Sequence, residues 1–158
     1  MANQEHVAIL TQGVEEWNHW RQKHRDTQPD LRFATLSGAD LSKVDLSGAD
    51  LTDADLSGAD LSGADLRDAT LRDTTLRDTV LNLADLSGAD LSGADLSGVV
   101  LVLATLSGAD LSRATLKDAV LSGADLSSAY NLTQQQLDQT YTCKGAILPK
   151  GFTYHRNQ

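Results

Sequence analysis

The sequence predicts an all-β solenoid whose coils have four sides. Three observations lead there. Leucine occupies every fifth position from Leu31 to Leu126, twenty times without a miss. Alanine stands two residues before most of these leucines, with Pro29, Val44, Thr74, Thr79 and Val99 as the substitutes, and Asp commonly lies between. The irregularities in this pattern recur at twenty residues. A fixed repeat sets the architecture before any other signal is read.

With the leucine as position i, the apolar set is i−2 and i, so apolar residues follow alternating steps of two and three. On a helix these steps scatter around the axis instead of forming a stripe. Nine of the i+2 positions are Gly, among them Gly38, Gly58 and Gly63, and each would weaken a helix by about 1 kcal/mol relative to Ala. On a flat strand the step of three puts the next pair on the wrong face. The pattern works if the chain turns a corner once per five residues. Gly, Asp and Ser at i−1 to i+2 suit such corners, through positive φ or local side-chain hydrogen bonds.

The number of sides follows from the irregularities. At i−1, Val replaces the usual polar residue only at Val80, Val100 and Val120; at i+2, Leu occurs only at Leu83 and Leu103. Four fives make twenty, so a four-sided coil stacks each set in one column, whereas a three-sided coil aligns Val80 with Asp95. Residues 29–128 then form about five coils, each dependent on its neighbours to bury its inner face. At roughly 4.8 Å per coil the rod is about 24 Å long.

The recurring unit, as in Ala59–Asp60–Leu61–Ser62–Gly63 and Ala89–Asp90–Leu91–Ser92–Gly93, resembles the pentapeptide-repeat family across about two thirds of the chain. The resemblance implies a right-handed quadrilateral β-helix. The flanks look like those of cyanobacterial members with caps at both ends.

The chain divides into an N-terminal capping helix (1–28), the repeat (29–128) and a C-terminal cap helix with a tail (129–158). Over residues 4–25, Val7, Leu10, Val14, Trp17 and Arg21 follow helical spacing. Asn3 suits the cap, Pro29 forbids continuation, and Gly13 is the weak point. This helix is expected to lie across the N-terminal end of the rod, whose open strand edges would otherwise invite end-to-end stacking. Past Leu126 the phase breaks. Thr133–Gln136 has the form of a capping box opening a short helix to about Thr140. Gly145 to Phe152 reads as an irregular or extended tail, and Leu132–Thr133, Gln136–Leu137–Asp138 and Leu148–Pro149–Lys150–Gly151 resemble the family's C-terminal cap.

Composition points away from enzymes. His6, His19, His24 and His155 all lie outside the repeat, and Cys143 has no Cys or His nearby in sequence. The Ser-Gly pairs belong to the repeat and no phosphate loop with Lys occurs. A convex rod also lacks a deep pocket. No catalytic, cofactor-binding or metal residues are assigned and no cofactor is expected. The single cysteine fits a reducing, cytoplasmic setting, and no apolar run is long enough for a membrane span. Arg67–Asp68, Arg72–Asp73 and Arg77–Asp78 read as solvated surface pairs of little energetic weight.

Two surfaces remain. Val80, Val100 and Val120 form one outward column, Leu83 and Leu103 a second, and Val102 lies between. This candidate interface is either covered by Ala146–Ile147–Leu148 or the C-terminal helix, or it binds a protein, such as a second copy in a homodimer. The acidic face comprises Asp30, Asp50, Asp90 and Asp110 on one side and Asp45, Asp65, Asp85 and Asp125 on the next. Residues 29–128 carry a net charge of −10, against roughly −14 for duplex DNA of equal length. Some family members are thought to mimic DNA and inhibit type II topoisomerases; this chain shares their acidity, but uses Leu at every central position and has no inserted loops. The leading expectation is a non-enzymatic interaction rod with an unknown protein partner and no direct binding to nucleic acid or membrane. The alternative is an acidic DNA mimic that binds a DNA-binding enzyme.

Overall fold

The computed structural model describes residues 1–154; His155 and the three residues after it lie outside the described residues. The repeat coils with a period of twenty. Each i−1 residue pairs in parallel with the residue twenty positions on, from Asp30 with Asp50 to Asp110 with Tyr130. Four columns result. Side 1 carries Asp30, Asp50, Thr70, Asp90, Asp110 and Tyr130, and side 2 carries Thr35, Asp55, Thr75, Asp95 and Thr115. Side 3 carries Asp40, Asp60, Val80, Val100, Val120 and Thr142, and side 4 carries Asp45, Asp65, Asp85, Thr105, Asp125 and Ile147.

The pairing is short on every side. Leu51 N–H donates forward to Thr70 O at 2.7 Å, and Thr70 N–H donates back to Ala49 O at 2.8 Å. Between sides, Ala54 N–H closes a turn on Leu51 O at 2.9 Å. The third residue of that turn, Asp53, has φ +59. The same sign recurs at i+2 in nineteen of the twenty repeats, with Ser128 the exception, where the phase breaks. Glycine adopts this region freely and other residues at a penalty. Phe33, Lys43, Leu83 and Leu103 are held there by the ladder on either side. The i−1 Asp secures the corner, as Asp55 Oδ1 accepts both the N–H and the hydroxyl of Ser57, at 3.0 and 2.6 Å.

All twenty repeat leucines are buried, with the i−2 side chains beside them. Thr74 and Thr79 share that interior. Their hydroxyls donate to Leu51 O and Leu56 O, both at 2.8 Å, so no buried polar atom is stranded there.

The single helix expected over 4–25 is two. Helix α1 spans Gln4–Thr11 and α2 spans Val14–Lys23. Asn3 caps α1 through its side chain. Gly13 precedes α2 at φ +124, a conformation L side chains rarely adopt, and this breaks the helix. The break lets α1 bury His6 and Leu10 while α2 buries Trp17 and Arg21. At the other end the capping box at Thr133 forms and opens α3, Gln134–Asp138. The irregular tail expected from Gly145 is coil as far as Ile147. Val120 pairs with Thr142 and Asp125 with Ile147, a spacing of twenty-two that absorbs α3. Cys143 sits where a leucine would, and Gly145 takes the corner at φ +74.

Candidate interaction surfaces

Side 3 and its corner with side 4 carry the apolar residues. The ladder stacks Val80, Val100 and Val120 directly above one another. Leu83 and Leu103, on the adjoining corner, are 66% and 59% exposed. Leu103 leans along the rod, so that a Cβ on Gly123 would meet its Cδ2 at 2.7 Å. Val102 is partly exposed between the two columns. Ala146–Ile147–Leu148 does not fold back over these residues, because it forms part of the next coil. Its Ile147 is itself 56% exposed on side 4. The signal for that extra coil was Gly145–Ala146–Ile147–Leu148, which keeps the repeat grammar in a shifted phase.

The valines lack what aspartate provides at the same position. Asp45, Asp85 and Asp125 each accept the N–H of the residue two further on, at 2.9 to 3.1 Å. Val100 offers no acceptor, and the N–H of Val102 turns to the Asn82 side chain one coil back, at 3.0 Å. Sequence reasoning passed over Asn82.

The acidic residues occupy the adjoining sides 4 and 1. Their carboxylates are committed to corners. The guanidinium of Arg32 holds the Asp30 carboxyl below the usual carboxylate range, and Arg67 does the same for Asp65. The Ser127 hydroxyl lowers Asp125, and the Ser112 backbone N–H with the Asn131 side chain lowers Asp110. The Arg-Asp dipeptides do not pair internally. Arg67 binds Asp65, Arg72 approaches Asp90 at 3.9 Å, and Arg77 approaches Asp95 at 3.5 Å. The aspartates of the dipeptides, held at positive φ, reach along the rod instead, and Asp68, Asp73 and Asp78 lie over Gly88, Gly93 and Gly98.

Cys143 is buried, and burial pushes its thiol up. Among the described residues no three His, Cys, Asp or Glu side chains are grouped to hold a metal, and no helix is long and apolar enough to cross a membrane.

A four-sided coil built on Ala-Asp-Leu-x-Gly units defines a class, and comparison with known families agrees. The family model for pentapeptide repeats matches residues 30–68, 64–101 and 101–140, and the chain belongs to that family. It is similar to a pentapeptide repeat protein from the Arabidopsis thaliana thylakoid lumen, at 35% identity over 65% of this chain and 74% of that one, with a TM-score of 0.41. It is also similar to HetL, a protein of the cyanobacterium Nostoc involved in heterocyst differentiation regulation. That match has 32% identity over 78% of this chain and 56% of HetL, with a TM-score of 0.31. A third is QnrB1, a plasmid-mediated fluoroquinolone resistance protein, at 21% identity over 80% of this chain and 69% of that one, with a TM-score of 0.41. No curated protein matches.

Proposed function

We propose that the protein is a non-enzymatic interaction rod, a right-handed quadrilateral β-helix of about five coils with short helical caps at both ends, and that side 3 binds another protein. The single cysteine suits a cytoplasmic setting. One observation carries the reading. Val80, Val100 and Val120 are partly exposed, stand outside the buried core, and each takes the place of a residue type that would hold its corner. Exposed apolar residues gathered in adjacent columns, at the expense of corner hydrogen bonds, indicate recognition. The test is the double variant Val100→Asp and Leu103→Gly, which restores the usual repeat residues at both positions. Its circular dichroism should match the parent, while self-association in sizing or partner capture in pull-down is lost. Unchanged association in both assays rejects the reading.

A second reading rests on the joining of sides 4 and 1 into one acidic surface. On it, the rod competes with DNA for a DNA-binding enzyme such as a type II topoisomerase. Lack of inhibition of gyrase supercoiling at a large excess of rod over enzyme rejects it.

A further inference from the structure

Among the described residues, the N-terminal end of the rod is sealed on two sides only. On sides 4 and 1, α1 and α2 replace the coil that would precede the first. Trp17 Nε1–H donates to Asp45 O at 2.7 Å, and Asn18 Oδ1 accepts Asp45 N–H at 2.8 Å. Arg21 donates to Ser47 O at 2.9 Å. His6 Nδ1 accepts Asp30 N–H at 3.0 Å, and Asn3 N–H donates to Asp30 O at 3.0 Å.

Sides 2 and 3 have no such cover. Thr35 pairs forward with Asp55 and Asp40 with Asp60. Among the described residues, the backbone N–H and C=O of Thr35 and Asp40 make no backbone hydrogen bond, because these two pairings run through the N–H and C=O of Asp55 and Asp60. Both residues are exposed, as are Ser37 and Gly38. Unpaired backbone groups in a row are a template for another strand. Against this edge lies a cavity of about 220 Å³ whose walls include Val7, Phe33, Ala34 and Thr35. Phe33 is 58% exposed, at a corner position where glycine is commonest. The surroundings are acidic, with Asp40 on the edge and Asp53 and Asp55 one coil on. Arg32, in the cavity wall, has its guanidinium already held by both oxygens of Asp30.

We propose that this half-open end accepts an extended basic and apolar peptide of a partner protein, added as a strand along side 2. Its backbone pairs with Thr35, an apolar side chain enters the cavity between Val7 and Phe33, and its cations meet Asp40, Asp53 and Asp55. Strand addition gives affinity through the main chain and selectivity through the alternate side chains, and the charge pattern disfavours acidic sequences.

The probe is an alternating lysine–valine heptapeptide, added to the full chain and followed by amide resonances and hydrogen exchange. Exchange at Thr35 N–H is expected to slow at least tenfold with bound peptide. Phe33→Asn, which tolerates the positive φ, and Val7→Ser are each expected to weaken binding about tenfold. The same peptide N-methylated on its backbone, with its charge unchanged, should bind at least tenfold more weakly. Equal binding by the N-methylated peptide, or shifts confined to sides 4 and 1, would show adsorption to the acidic surface and overturn the proposal. So would equal binding of a glutamate–valine peptide, absence of binding, or protection of Thr35 that rises with protein concentration alone, which would make a second copy the occupant.

Discussion

Asn82 Oδ1 accepts the backbone N–H of Val102 across one coil, at 3.0 Å. At regular corners that N–H is held by an aspartate two residues earlier in the same coil, as Asp85 holds Ser87. The apolar column has therefore drawn a compensating residue from the coil before it. Asn82→Ala should lower stability by about 1 kcal/mol, the usual worth of one such bond, and Asn82→Asp should retain most of it. Denaturant midpoints for the two variants check this; equal midpoints would dismiss the compensation.

Two glycines with the same backbone separate conformation from contact. Gly58 and Gly93 have φ +66 and +70, but space is open at Gly58 while a Cβ on Gly93 would collide with Asp73 Oδ1. Gly58→Ala is expected to destabilise by about 1 kcal/mol from the backbone alone. Gly93→Ala should exceed it, and the excess should vanish when Gly93→Ala is made in an Asp73→Gly background, with Asp73→Gly alone as the reference because Asp73 is itself at φ +54. Thermal melts of these four variants decide the matter.

The N-terminal seal depends on Arg21, which is 6% exposed. It donates to Thr27 O at 2.8 Å and Ser47 O at 2.9 Å, and its Nε lies 4.0 Å from Asp45. Arg21→Met keeps the packing volume and strands those carbonyls, for a loss of about 2–3 kcal/mol. Trp17→Phe removes the bond to Asp45 O and, at a fully buried position, part of the ring that fills the core, and should also lose about 2–3 kcal/mol. Hydrogen exchange in both variants should rise first at Asp45, whose N–H faces α2.

Acid should loosen the corners. Ser57 and Ser62 hold Asp55 and Asp60 below the ordinary carboxylate value of 3.8, as Ser127 holds Asp125. A carboxylate lowered in the folded state binds fewer protons there than when unfolded. Its contribution is present above pH 3.8 and fades as pH falls through the lowered folded value. The melting temperature is expected to be flat from pH 7 to about 5 and to fall below about pH 4. Asp55→Asn and Asp125→Asn together should flatten that fall while lowering the plateau.

Much of this geometry was legible because a period of five admits few solutions. The valines at 80, 100 and 120 reported the four-sided coil directly, since only a return after twenty residues aligns them. The ends were harder to read. Helical spacing over 4–25 is the same whether the helix is continuous or broken, and only the φ of +124 at Gly13 distinguishes the two. Asn18 and His6 looked like ordinary helix residues because their partners, Asp45 and Asp30, are distant in sequence. The Arg-Asp dipeptides suggested internal pairs because sequence adjacency does not reveal that a residue at positive φ aims its side chain along the rod.

The two ends read only their own coils. α1 and α2 bond to Asp30, Lys43, Asp45 and Ser47, while Gln136 of α3 bonds to Leu111 and Ala114. Neither end measures the distance to the other. A block such as residues 56–75 can be excised and Asp55 joined to Leu76 with every column kept in phase. The molecule is thus a ruler graduated in steps of about 4.8 Å, on which the span between the Thr35 edge and the valine column lengthens or shortens one coil at a time while the docking parts stay unaltered.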